Sequence, residues 1–208
     1  MPKTKAHYDH TSVEILQRQC VYDGFFKMDK LQLRHRLFGG GWSQRVTREL
    51  FVRGEAVAGI LYDPQNDLIG LVEQFRVGAL NQDTGPWCLE VVAGIAEPGE
   101  TPEEVMLREL KEEANLVPSR LLPICSYLSS PGGSDEKLHL FCAICDLSHA
   151  GGIYGLNEEE EDILVRVFAT DSVFDTMLEG RTNNAATLIA LQWLQWKRED
   201  LATMLNSD

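Results

Sequence analysis

Basic residues are scarce in this chain. Across 208 residues, 19 Lys and Arg stand against 32 Asp and Glu, a formal net charge of −13. Nonspecific nucleic-acid binding depends on neutralising phosphates with Lys and Arg, so the balance argues against a nucleic-acid partner. Cysteine is also sparse: five, at positions 20, 88, 125, 142 and 145, too few for a disulfide scaffold. Cys142 and Cys145 form a CxxC, but inside the apolar run LHLFCAIC, which reads as a strand. Residues three apart on a strand face opposite sides of the sheet, so buried free thiols are expected in place of a zinc or redox pair. None of the five histidines forms an HExxH or similar ligand spacing. The N-terminus MPKTKAHYDH lacks an apolar signal core, and no run is long enough to span a bilayer. A soluble, cytoplasmic protein with no membrane partner is the expectation. Repeats, low-complexity stretches and flexible linkers are missing too.

What is present is a core-sized chain with localised acidity. Residues 97–113 hold seven Glu against one Arg and one Lys, and residues 158–162 hold four Glu and one Asp. Two acidic knots on a nearly neutral body suit metal sites better than a general acidic surface does. Alternating runs over 12–53, broken by Gly39-Gly40-Gly41, predict a small antiparallel sheet. Strands are expected at 56–62 and 68–75, joined by the turn-like Asp63-Pro64-Gln65-Asn66-Asp67, and at 87–94, 121–128, 138–145 and 163–168. Helices are expected near 170–179 and 183–198, the latter capped by Asn183 or Asn184. Strands and helices without strict alternation fit an α+β sandwich better than a doubly wound sheet.

The most informative segment is residues 94–116, GIAEPGETPEEVMLRELKEEANL. Thr101, Pro102 and Glu104 form a capping box with proline at the first helical position, so a loop feeds a helix here. At 100° per residue Leu107, Leu110 and Ala114 share one face, with Glu109, Glu112 and Glu113 roughly opposite. Like charges four apart cost a bare helix ~0.2–0.5 kcal/mol. Carboxylates gathered in this way suit hard divalent cations that take oxygen ligands. A glutamate-rich solvated helix is the bland alternative, yet capping and amphipathicity do not require the joint spacing of Gly94, Glu100, Arg108-Glu109 and Glu112-Glu113. That combination resembles the Nudix box of hydrolases that cleave a nucleoside diphosphate linked to another moiety. One position departs from the box: its final glycine is Asn115 here. Asparagine is the next most tolerant residue for the left-handed helix end that this glycine provides.

The resemblance covers most of the chain and points to bacterial ADP-ribose pyrophosphatases of the Nudix superfamily. It is carried by Gly24-Phe25-Phe26, Thr47-Arg48-Glu49, Arg53-Gly54, Glu73-Gln74-Phe75-Arg76 and Ser130-Pro131-Gly132-Gly133. The resemblance implies a Nudix α/β/α sandwich with a mixed sheet over 55–208, and a small antiparallel β domain over 1–54. It implies metal ligation by the carbonyl of Ala93 and by Glu109, Glu113 and Glu161, with Glu112 in or next to the ligand set. Glu159 falls on the family's general base. Phe25, Phe26, Arg48, Glu49 and Arg53 match positions at the adenosine end, and Arg76 the phosphates. Ile95, Ser130, Pro131, Gly132 and Glu136 match the remaining contacts, Glu136 at the terminal ribose. On the residues alone, Phe25 and Phe26 read equally as core, and Arg48 and Arg53 as surface arginines. The implied reaction is hydrolysis of ADP-ribose to AMP and ribose 5-phosphate with Mg2+, for which Mn2+ substitutes, and with more than one ion per site. The implied assembly is a homodimer that exchanges its N-terminal sheets. Two other readings stay open: a hydrolase of another nucleotide sugar such as GDP-mannose, and a ligand sensor of the same fold that binds without cleaving.

Overall fold

The computed structural model describes residues 6–156, 158, 160–179 and 181–205. The chain divides into two compact units, one running to Gly54 and taking in Leu128–Glu136, the other holding Glu55–Tyr127 and the chain from Lys137 onward.

In the first unit, β1 (Val13–Asp23), β2 (Lys27–His35) and β3 (Val46–Val52) form an antiparallel sheet in the order β1-β2-β3. Register shifts after Ile15 and after Cys20 bulge β1, which increases its twist. Val13, Ile15, Leu16, Val21 and Tyr22 remain exposed along that strand. Residues 128–136 join this unit through a bridge between Phe51 and Ser134, and the Phe51 N–H donates to the Gly133 carbonyl.

The second unit is built on β4 (Glu55–Asp63), whose residues after Glu55 are all buried. Its neighbours are β5 (Leu68–Phe75), β6 (Trp87–Glu90), β7 (Val92–Ile95), β8 (Arg120–Leu128), β9 (Lys137–Ile144), β10 (Gly152–Tyr154) and β11 (Ile163–Ala169). Among the described residues these make an eight-stranded mixed sheet ordered β10-β11-β5-β4-β9-β8, with β6 on β5 and β7 on β4. The β4–β9 pair is parallel; β4–β5, β4–β7 and β5–β11 are antiparallel. Among the described residues three α-helices complete the unit: α1 (Pro102–Ala114), α2 (Thr170–Thr176) and α3 (Ala185–Leu205).

Side-chain alternation sorts the sheet into two faces. Ile60, Tyr62, Ile69, Leu71, Leu140 and Cys142 pack against Val173, Ala190, Leu191 and Leu194 of α2 and α3. Val57, Leu61, Val72, Phe141, Ala143, Ile163 and Val165 pack against Val105, Met106, Leu110 and Ala114 of α1. The result is the expected α/β/α sandwich. Truncating a fully buried Leu such as Leu110 or Leu191 to Ala is expected to cost ~2–5 kcal/mol. Cys142 on β9 and Cys145 just past its end fall in opposite clusters, both buried and free, as an odd spacing along extended backbone requires. No helix among the described residues is long and apolar enough to cross a membrane.

Four details differ from the sequence expectations. The run 87–94 is two strands, because the Val91 N–H leaves the ladder and donates to Thr187 Oγ1 of α3 at 3.0 Å. The short β10 was not anticipated; it pairs Gly152–Tyr154 with β11. The last helix begins at Ala185, with Asn184 Oδ1 accepting the Thr187 N–H, and runs on to Leu205. On α1, Leu107 is 45% exposed, while Glu109 and Glu113 are only 8% and 3% exposed. The buried stripe is Val105-Met106, Glu109-Leu110 and Glu113-Ala114, so the two glutamates border the core and do not oppose it.

Candidate functional site

The helix that carries the acidic residues is set by its own ends. Thr101 Oγ1 accepts the Glu104 N–H at 3.3 Å, and a Glu104 carboxylate oxygen accepts the Thr101 N–H at 2.8 Å. At the other end Asn115 adopts φ 52°, ψ 36°, and its N–H closes the last turn on Leu110 and Lys111. Asparagine thus does the work of the glycine at this position of the box.

Between these caps, Arg108 ties the loop to the helix. Its guanidinium donates to Glu100 (Nε to Oε1, 3.2 Å), to Glu109 at 2.8 Å, to Glu112 at 3.2 Å and to the Ile95 carbonyl at 3.3 Å. Glu100 also accepts the Glu97 N–H at 2.9 Å. The Arg108 bond, followed by this backbone bond, holds the Glu100 carboxyl below its usual range. One arginine therefore fixes the loop before α1 against three carboxylates of the box.

Gly94 makes room for Glu109. A Cβ at this position would sit 1.8 Å from Glu109 Oε1, so no residue but glycine leaves the carboxylate where it is. Glu113 stands one turn further on and accepts the Ala93 N–H at 3.2 Å. Burial, opposed by the Arg108 charge, raises the Glu109 carboxyl to about 7. Burial and the neighbouring Glu109 charge raise Glu113 to about 8. Both shifts run in the direction that burial and like charge impose, so each carboxyl holds its proton more tightly than a solvated glutamate does.

Of the second acidic knot, Glu161 lies within electrostatic range of this corner and contributes charge at both Glu109 and Glu113. Its own carboxylate accepts the Leu156 N–H, and its N–H donates to the Leu156 carbonyl, both at 3.2 Å. Glu160 beside it has φ 53°, an uncommon backbone for a non-glycine residue. Glu159 lies outside the described residues. Among the described residues, no three Asp, Glu, His or Cys side chains converge closely enough to hold an ion together. Glu109 is turned to Arg108 and Glu161 to Leu156.

Arg76 follows β5 and pairs with Glu90 of β6 through a 2.6 Å Nε–Oε2 contact. It alternates with Val72, which packs in the cluster beneath α1, so it extends on that side of the sheet, and its charge opposes the rise at Glu113. Glu90 escaped the sequence reading; its alternation with Cys88 on β6, facing the α1 side, was the available signal. Ile95 ends β7, half exposed, beside Arg108.

The remaining candidates lie in the unit that ends at Gly54. Arg53 stacks over Phe26 at 4.5 Å and over Phe51 at 5.6 Å, and Phe26 meets Phe25 edge-on at 4.7 Å. Glu136 lies 2.7 Å from Arg53 Nε, and Asp135 accepts the N–H groups of Arg53 and Gly54. Phe25 is 87% exposed, so of the pair only Phe26 is embedded. Ser130, Pro131 and Gly132 form an exposed turn in which the Ser130 carbonyl accepts from Gly133 and Ser134. Arg48 and Glu49 lie exposed on β3, Arg48 donating to the Thr47 carbonyl. The structure thus groups Phe26, Arg53 and Glu136 in one unit. In the other it groups Arg76, Ala93, Ile95, Glu109, Glu113 and Glu161.

Comparison with known proteins agrees with this geometry. The model of the NUDIX domain matches residues 52–191. An ADP-ribose pyrophosphatase of Haemophilus influenzae is 44% identical over 204 residues, covering 92% of this chain and 94% of the relative. A GDP-mannose pyrophosphatase of Pectobacterium atrosepticum is more distant, 28% identical over 86% of this chain and 92% of its own length. Among solved structures, one described as an ADP compounds hydrolase superposes with a TM-score of 0.71 at 21% identity, covering 95% of this chain and 98% of that one.

Proposed function

Since the chain belongs to the NUDIX domain family, we propose that it is a metal-dependent hydrolase that splits ADP-ribose into AMP and ribose 5-phosphate. The observation that carries this reading is the buried pair Glu109 and Glu113, packed against Gly94 and raised to about 7 and about 8. Buried oxygen donors whose charge Arg108 and Arg76 offset only in part fit a hard divalent ion, Mg2+ with Mn2+ substituting, and the acidic surroundings suit more than one. Glu109, Glu113, Glu161 and the Ala93 carbonyl are the residues that would hold it. When bound, such ions neutralise phosphoryl oxygens and make water more acidic.

The protein's own residues do the rest. Arg76, steadied by Glu90, offers a fork of N–H donors to the diphosphate. Glu159 takes the proton of the attacking water as its oxygen bonds to one phosphorus and the bridging P–O bond breaks. Arg108 keeps the loop and helix in register while this happens. Phe25, Phe26, Arg48, Glu49 and Arg53 receive the adenosine end; Ile95, Ser130, Pro131, Gly132 and Glu136 the remainder, with Glu136 at the terminal ribose. The ADP-ribose assignment draws on the 44% identical relative. The exposed apolar residues of β1 support a homodimer that exchanges N-terminal sheets, because a sheet this small draws its stability from an apolar face that is covered. Residues up to Gly54 act as the dimerisation and adenosine-end domain, and residues from Glu55 as the hydrolase. Free, unpaired cysteines suit a cytoplasmic setting.

The test is product analysis. With Mg2+ or Mn2+, ADP-ribose should yield AMP and ribose 5-phosphate, and EDTA or Glu113→Gln should abolish the yield. Turnover that persists in full under EDTA contradicts the reading. GDP-mannose is the second candidate substrate, on the strength of the 28% identical relative.

A further inference from the structure

The strand that leads into Arg76 holds a buried donor with no acceptor among the described residues. Gln74 is 7% exposed, and its Nε2 has no hydrogen-bond partner among the described residues. A buried amide N–H that is stripped of water and left unpaired is destabilising, so such groups call for an explanation. An acceptor that arrives from outside is one.

The strand fixes where the side chain faces. Val72, Gln74 and Arg76 alternate on one side of β5, and Arg76 continues the extended backbone at φ −129°, ψ 112°. Val72 lies in the cluster beneath α1, and the Arg76 charge acts on Glu113, so this side is the one that bears the acidic pair. Across the ladder Gln74 faces Cys88, while Val72 faces Glu90. On the other edge β5 pairs with β11, the strand that follows Glu161. Gln74 therefore lies between the Arg76–Glu90 pair and the strand leading out of the acidic loop.

We infer that Gln74 is a substrate-binding residue whose Nε2–H donates to a non-bridging oxygen of the substrate's diphosphate, beside the Arg76 guanidinium. The inference rests on the reading of the protein as a hydrolase of nucleoside diphosphate compounds. Its chemistry suits the place. A phosphate oxygen is an acceptor only, and among buried carboxylates a neutral amide supplies a directed donor without adding a charge to be compensated. Glu90 already occupies one side of the Arg76 fork, so a second donor on the same face completes the grip on the anion.

Two substitutions test this. Gln74→Met keeps the length and removes every polar atom; Gln74→Glu keeps the shape and replaces the donor with an acceptor. KM is measured on whichever substrate the wild type turns over best, and thermal unfolding is followed without ligand. Gln74→Met should unfold no earlier than the wild type, because it deletes an unpaired donor. Its KM should rise about tenfold, the usual worth of a hydrogen bond to a charged group. Gln74→Glu should raise KM further through repulsion of the phosphate. A Gln74→Met variant that unfolds earlier or fails to fold overturns the inference, since a donor without a partner in the fold cannot be required by it. Wild-type KM in both variants also overturns it and leaves the hydrolase reading intact. A wild type that cleaves no nucleoside diphosphate compound removes the hydrolase reading itself.

Discussion

Glu113→Gln should make the metal-free protein more stable at alkaline pH while removing its activity. Glu113 is 3% exposed, and burial next to Glu109 raises its carboxyl from 4.5 to about 8. A raised folded-state pKa means that the folded protein holds this proton more tightly than the unfolded chain does. The neutral acid is therefore tolerated in full below pH 4.5. The stability associated with it is lost as pH rises from 4.5 through 8, and the loss is complete above that. At about 1.4 kcal/mol per pKa unit, the charged side chain costs the fold on the order of 3–5 kcal/mol at pH 9. In a chain of this length each kcal/mol moves Tm by roughly 2–4 °C, so the effect is on the order of 10 °C. Thermal unfolding in EDTA, recorded from pH 5 to 9, reads it directly. The wild-type Tm should fall across this window, and Glu113→Gln should flatten the curve and cross above it. Added Mg2+ should raise the wild-type Tm more at pH 8.5 than at pH 5.5, because a bound cation compensates the same charges. Parallel Tm curves for the two proteins, or a variant that is less stable at pH 9, would refute the argument that Glu113 is a strained, cation-seeking carboxylate.

Three further outcomes follow from the geometry. Gly94→Ala places a Cβ on Glu109 Oε1 and should lower kcat/KM for ADP-ribose by on the order of 10²-fold or more, read by steady-state kinetics with circular dichroism confirming the fold. Asn115→Gly relieves a left-handed non-glycine residue at the end of α1 and should leave activity unchanged, with unfolding showing a gain of up to about 1 kcal/mol less the lost Lys111–Asn115 bond. Mixing Arg53→Ala with Glu113→Gln subunits should restore activity that neither homodimer has, if the N-terminal sheets are exchanged; no recovery after verified subunit exchange would exclude that assembly.

The parts of this molecule that were legible in the sequence are those governed by local chemistry. The capping box at Thr101, the left-handed Asn115, the turn at Asp63–Asp67 and the opposite-facing Cys142 and Cys145 each follow from one residue and its neighbours. What was not legible depends on distant partners. The break at Val91 is made by Thr187, 96 residues away. Helical periodicity placed Leu107 inside and the glutamates opposite, whereas the sheet beneath α1 selects Met106 and Val105 and draws Glu109 and Glu113 to the border. That choice is made by Gly59 and Gly94, whose missing Cβ atoms admit Met106 and Glu109. Strand alternation gives the side that Glu90 and Gln74 face, but the Arg76 partner of Glu90 and the missing partner of Gln74 Nε2 among the described residues come from strand pairing across the sheet.

The most direct measurement is kcat/KM for ADP-ribose and for GDP-mannose, taken side by side in saturating Mg2+ on the same preparation, with products identified. The account predicts that ADP-ribose is cleaved with the higher kcat/KM, to AMP and ribose 5-phosphate. A higher kcat/KM for GDP-mannose would contradict the substrate assignment, and metal-saturated protein that cleaves neither compound would contradict the account as a whole.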